Sequence, residues 1–489
     1  MKEAQEISGD QQVDVDSVIN NNNNIDEIKT NISTKELSIK VILPFFLLCL
    51  TYHGVNLLMP IFLSINFNSS DSFVGLTTSI GSFGELLSSV PIGKSLAFFG
   101  TRRTLHVSLV IILLSYLLYS AALVQEIVLI GNCLLGIGFN SYYLAQQTYI
   151  TGNVPPKFRG KTFAYTDGTW QVSGIIGGLL IVMFAELVGL HLAFICLCPF
   201  IVIILISQIY FFYDKVNEKE LEDRLDREAI DDDNNHTLAS SSFDNLTMVD
   251  PSPSDDNNNS TANRFGRKNQ LRMKQCQILY DFRKEYLTLG VYCLLLMFVR
   301  YARHLMIPLT GLSLNLPLSD IAWITSAAFF CSSAMFPLSG SIMDRCGRKT
   351  NCILTMFVMG IGFLVMYLSV DFPSLLASGI IIGLGNGLST GLIMAISGDY
   401  APKDQRRGPF LSLFKLIYGL GQMFGPSMTG IASEYFGVEG GALLTVIVCV
   451  FGIIWGYINI IEKEPRGQQH SAPTGNIVVH SGRVSNDTI

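Results

Sequence analysis

Two arginines one turn apart inside an apolar run are the first residues here that could do chemistry. Arg300 and Arg303 stand with His304 in the run 285–312, and their i, i+3, i+4 spacing puts the three on one helical face. A charge at the centre of a bilayer costs about 2.5–3.5 kcal/mol on insertion scales. Such a pair therefore implies a water-filled cavity, a carboxylate partner or an anionic ligand. Polar side chains recur in three other apolar runs. His53 and Asn56 share one, Asn132, Asn140, Tyr143 and Gln147 share one face of a second, and Asn386 and Thr390 share a third. Glu85 and Asp167 are carboxylates placed inside apolar runs. A carboxylate held in a low-dielectric site can exchange a proton near neutral pH, which proton coupling requires. An ion pair with Arg300 or Arg303 is the alternative use. Glu186 and Lys415 read as structural, one at a run's end and one able to snorkel or pair.

Other chemistry is missing from the pattern. There is no Gly-x-x-x-x-Gly-Lys-Ser/Thr loop to cradle a nucleotide, and the seven histidines are scattered. No nucleophile–base set or metal cluster emerges, so neither an enzyme nor a metal or other cofactor is expected.

The elements that must position these residues are long and apolar. The 489-residue chain is 49% hydrophobic and only 15% charged, against roughly 25% in ordinary soluble domains. Most of the charge sits in three polar stretches, 1–40, 214–284 and 463–489. What remains has too little charge to cover a soluble surface, which excludes a cytosolic enzyme, a nucleic-acid binder and a disordered scaffold. Runs near 41–64, 73–93, 104–124, 127–151, 161–188, 191–213, 285–312, 319–340, 350–370, 373–399, 409–434 and 438–462 are each long enough for a membrane helix, which needs about 20 residues. They are too long and continuous for barrel strands, the other structure that satisfies its backbone in lipid. The expected fold is an all-α membrane protein of twelve transmembrane helices.

Short loops orient it. One side carries Lys94, Arg102, Arg103, Lys157, Arg159, Lys161, Arg345, Arg348, Lys349, Lys403, Arg406 and Arg407; the other carries Asp71, Glu126, Asp320, Asp371, Glu434 and Glu439 without a Lys or Arg. Basic loops stay in the cytoplasm, so both termini and the 214–284 stretch are expected there. No cleavable signal precedes the first run, which must itself direct insertion. The ten cysteines lie in the runs or on the basic side, so no disulfide framework is expected. Asn68-Ser69-Ser70 is a glycosylation sequon on the acidic side.

The chain also repeats itself. Gly93 and Gly340 stand 247 residues apart, as do Gly100 and Gly347, Gly136 and Gly383, and Gly138 and Gly385; Pro60 and Pro308 differ by 248, Pro156 and Pro402 by 246. Internal repeats of this length build many transporters. The expected organisation is a disordered tail (1–40), a six-helix bundle (41–213), a largely disordered linker (214–284), a second six-helix bundle (285–462) and a disordered tail (463–489). The linker's basic end, from Arg264 to Lys274, could lie on anionic lipid.

Gly340-Ser-Ile-Met-Asp344-Arg345-Cys-Gly347-Arg348-Lys349 resembles the signature loop of the major facilitator superfamily. The first-half copy keeps Gly93, Gly100, Arg102 and Arg103 and has Ala97 where that family usually has Asp. Leu135-Gly136-Ile-Gly138 and Gly383-Leu-Gly385, with the loops after them, are similar to its fourth and tenth spans. The style is nearest to the drug and organic-solute antiporters, through Val55-Asn56 with Pro60, Gly177-Gly178 and Gly425-Pro426. Thr51 stands where those antiporters have Asp, and Asn132 where they have Arg, which leaves uniport and coupling through other residues both open. The resemblance implies alternating access, with spans 1, 4, 7 and 10 lining a central cavity. It makes His53, Asn56, Asn140, Tyr143, Gln147, Arg300, Arg303, His304, Asn386 and Thr390 the candidate cavity residues. Glu85 and Asp167 are then the candidates for proton coupling. Gly93, Gly100, Arg102, Arg103, Gly340, Asp344, Arg345, Gly347, Arg348 and Lys349 are the candidate gating residues. The expected solute is small and organic, anionic or amphipathic, carried by a monomer. A sensor or scaffold that keeps the fold without transport is the rival reading.

Overall fold

The computed structural model describes residues 41–154, 156–211, 280–402 and 406–460. Both tails, nearly all of the linker, Lys403 and the side chains of Lys157, Arg159 and Lys161 lie outside the described residues. The described chain forms twelve membrane-length helices. In the first half these are α1 (Leu43–Asn66), α2 (71–99), α3 (101–120), α4 (Gln125–Asn153), α5 (Pro156–Val188) and α6 (190–211). In the second half they are α7 (Arg283–Ser313), α8 (Leu318–Arg345), α9 (Arg348–Tyr367), α10 (Phe372–Tyr400), α11 (Arg407–Phe436) and α12 (Val438–Asn459).

Local sequence chemistry sets several of the boundaries. Ser70 caps α2 by accepting from the Phe73 N–H, and Asp371 forms a capping box with Ser374 at the start of α10. The turns entering α3 and α9 need a backbone that L side chains avoid. Gly100 has φ 76° and ψ 166°, and Gly347 has φ 84° and ψ 168°. The repeat is thus a repeat of backbone geometry. It extends to a pair that pattern reading passed over, Asn68 (φ 54°) and Asn315 (φ 55°), again 247 apart.

Inside each half, glycines let helices touch backbone to backbone. A Cβ on Gly136 of α4 would lie 2.0 Å from the Gly81 carbonyl of α2, and one on its repeat Gly383 of α10 would lie 2.3 Å from the Ala328 carbonyl of α8. Among the described residues, ten helices are long and apolar enough to cross a membrane. The two that fall short, α2 and α11, pack against each other across the halves and are correspondingly rich in small and polar residues.

The halves meet at the end that carries the acidic loops. Leu305 and Leu309 of α7 and Ile321 and Ala322 of α8 join the apolar core of the first half. Ser79 of α2 and Ser427 of α11 are hydrogen-bonded at 2.7 Å, and Ser326 of α8 donates to the Ile175 carbonyl of α5 at 2.7 Å. Toward the opposite end, Gly93 and Gly340 have open space where a side chain would lie. The molecule is therefore sealed at its acidic-loop end.

Candidate functional site

Below that seal lies a pocket between α1, α7 and α8. His53 and Asn56 come from α1, Arg303 and His304 from α7, and Phe329 from α8. Its free space, about 20 Å³, fits about one water molecule. His53 is 4% exposed, its ring edge-on to Trp170 at 4.4 Å and to Phe329 at 4.7 Å. Arg303 is 6% exposed and lays its guanidinium over the Phe329 ring at 5.0 Å. His53 Nε2 and Arg303 Nε are both buried without a hydrogen-bond partner among the described residues.

The two arginines that share a face by spacing have different surroundings. Arg300 Nε donates to Asn386 Oδ1 at 2.9 Å, and Asn386 Nδ2 donates to Ser332 Oγ at 2.8 Å. A side-chain chain thus ties α7 through α10 to α8. Thr390 sits where α10 is interrupted, next to Gly391 in the left-handed conformation, and its hydroxyl donates to the Asn386 carbonyl at 3.3 Å. Ser339 of α8 and Asn351 of α9 donate to the Leu388 carbonyl freed by that interruption, at 2.6 and 3.0 Å.

Glu85 accepts a hydrogen bond from the Tyr52 hydroxyl at 3.0 Å. It forms no ion pair with Arg300 or Arg303 among the described residues, and the cation whose field reaches it is Lys415 of α11. Asp167 lies exposed on α5, in electrostatic reach of Tyr143. Tyr143 packs on Phe45 of α1 with ring centres 6.2 Å apart, with Gln147 beside it.

Two asparagines of α4 face a neighbouring helix. Asn140 donates to the Glu85 carbonyl at 2.7 Å and to Ser88 and Ser89 at 2.9 and 3.2 Å. Asn132 donates to the Thr77 carbonyl at 2.5 Å and accepts from the Tyr119 hydroxyl at 2.9 Å. These contacts tie α4 to α2 and α3.

At the basic-loop end, Gly100 and Gly347 make the turns described above, and Arg102 and Arg103 open α3. Arg348 pairs with Asp399 of α10 and donates to the Ala395 carbonyl at 2.5 Å. Lys349 lies 4.9 Å from the centre of the Tyr457 ring, while Asp344 and Arg345 are exposed. Sequence reading passed over Tyr52, Trp170, Phe329 and Asp399. Tyr52 and Phe329 are lost among 18 Tyr and 31 Phe in the chain. Asp399, an acid beside a basic loop, was a signal available in the sequence.

The sequence profile of the Major Facilitator Superfamily matches residues 41–302 and again 288–484. An uncharacterized transporter of Schizosaccharomyces pombe is 30% identical over 149 residues, 30% of this chain and 26% of that one. The niacin transporter NiaP of Acinetobacter baylyi is 24% identical over 159 residues, 32% of this chain and 35% of that one. The chain thus spans about a quarter to a third of the length of the curated relatives it matches. A crystal structure of a D-xylose–proton symporter shares the fold, with a TM-score of 0.61 at 13% identity, over 87% of this chain and 98% of that one.

Proposed function

Because the chain belongs to the major facilitator superfamily, we propose that it carries a small organic solute across its membrane by alternating access. One observation carries this reading. Two repeated halves meet around buried polar groups, and they are sealed on one side of them. A two-state machine needs such a seal to be breakable, so that the same groups face first one side and then the other.

In this reading His53, Asn56, Arg303 and His304 form the inner end of the solute site, and Arg300, Asn386 and Tyr143 line its approach. Glu85 is the coupling carboxylate if protons drive transport, with Tyr52 as its hydrogen-bond donor. Asp167 is the second candidate. The basic-loop end faces the cytoplasm, and Asp344 and Arg345 stabilise the state in which that end is shut. The relative named as a niacin transporter fits a small organic solute.

The test is reconstitution of the full chain in proteoliposomes. Uptake of a panel of labelled organic solutes is followed with and without a proton gradient. A saturable flux that Arg300→Ala removes is expected. If Glu85 couples protons, Glu85→Gln leaves equilibration down a gradient but abolishes accumulation driven by pH. Solute binding with no flux under any gradient would favour the sensor reading instead.

A further inference from the structure

We infer that the pocket between α1, α7 and α8 seats a small monovalent anion, the carboxylate head of the solute. This deepens the transport reading and rests on it for the word solute. The evidence is the charge balance of the pocket. A guanidinium keeps its charge in proteins, and Arg303 is 6% exposed with no ion pair among the described residues. None of the residues that line the pocket is an Asp or Glu. Glu85, the nearby carboxylate of α2, is held by Tyr52. A buried charge without a partner is strongly unfavourable, so the pocket lacks a negative group that none of the described residues supplies.

The geometry says where that group sits. Phe329 covers one face of the Arg303 guanidinium, which leaves the N–H edge for an acceptor lying in its plane, the arrangement carboxylates take. His53 reaches the same pocket from the other half of the molecule, 4% exposed and with Nε2 unpartnered. Asn56 and His304 supply further polar groups on the wall. The free space of about 20 Å³ is the size of about one water molecule, room for one carboxylate oxygen against the guanidinium. The rest of the solute must therefore lie outside it.

Purified full-length protein and sodium benzoate test this, with benzamide as the neutral isostere and sodium chloride as the inorganic anion. Binding is read from tryptophan fluorescence, since Trp170 contacts His53, with Trp170→Phe as the control for the signal. Benzoate is expected to saturate the response. Benzamide and the Arg303→Gln variant should each weaken it by about tenfold to a hundredfold, the worth of a charged hydrogen bond. Arg303→Lys should fall between. If Arg303→Gln does not fold, His53→Asn serves, with a smaller loss expected. Benzoate that chloride fails to displace supports the carboxylate head; displacement by chloride at equal concentration would overturn that assignment and leave a site for a free inorganic anion. Benzamide binding as tightly as benzoate, or unchanged affinity in a folded Arg303→Gln, would overturn it. Anion binding without flux in proteoliposomes would keep this site and sink the transport reading, and anion-independent flux would do the reverse.

Discussion

The Glu434 carboxylate near the end of α11 accepts a hydrogen bond from the backbone N–H of Ser72 at 3.1 Å. A side chain of the second half thus satisfies one of the open donors in the first turn of α2, in the first half. The bond spans the two halves at the acidic-loop end, so under the proposed alternating access Glu434 would act as a latch on this state. Glu434→Ala should shift the population toward the state open at that end, and Glu434→Gln, which keeps an acceptor, should shift it less. Distances between spin labels on the acidic-loop ends of the two halves would measure this. An unchanged distribution in Glu434→Ala would remove the latch.

The seal beside that latch depends on the absence of side chains. A Cβ on Gly75 would lie 2.4 Å from the Pro426 carbonyl, and one on Gly430 would lie 2.5 Å from the Asp71 carbonyl. Both obstacles are backbone and cannot turn aside. Gly75→Val should hold the acidic-loop end open and stop turnover, with the helices still formed by circular dichroism. Gly93→Ala is the contrast, since nothing lies within 4 Å of its Cβ here. It should leave this state intact, so any loss of flux would report the opposite one.

Arg348 and Asp399 join α9 to α10 at the basic-loop end. Both are partly exposed, with 34% and 20% of their side-chain surface accessible, so their coupling should be modest, about 0.5–1 kcal/mol in a double-mutant cycle. Arg348→Ala should cost more than Asp399→Ala, because it also removes the bond to the Ala395 carbonyl. Thermal unfolding of the two singles and the double checks this. Fully additive losses would mean that the pair contributes nothing as a pair.

Asp371 gives a pH dependence with a definite sign. Its carboxylate accepts from the Ser374 hydroxyl and N–H at 2.6 and 3.0 Å, and these bonds hold it below the usual carboxylate range. The folded value lies below the unfolded one of about 3.9. The cap's contribution is therefore present above that value and is lost as the pH falls through the lower, folded one. Asp371→Asn should melt lower than the natural chain at neutral pH, and the gap should close in acid. Melting curves between neutral pH and pH near 3 decide it.

The sequence alone determined the class, the number of helices and the two-fold repeat. The reasons are local. Bilayer thickness dictates run length, and the tight turns at Gly100 and Gly347 take a positive φ that glycine adopts at no steric cost. Residues three or four apart share a helical face, so Arg300, Arg303 and His304 were legible as one stripe.

What each stripe faces was decided only by packing. Asn132 and Asn140 share a face by spacing, yet the tertiary structure turns both toward α2, where they satisfy backbone carbonyls of that helix. Arg300 found Asn386, 86 residues away, while Arg303 found the Phe329 ring and, among the described residues, no acceptor for its Nε. Glu85 took Tyr52, 33 residues away. Helical period tells which side chains point together, but not whether a helix, lipid or cavity lies in front of them. That depends on which distant helices come to lie alongside, and at Gly136 and Gly383 the approach is set by backbone contacts no local pattern encodes.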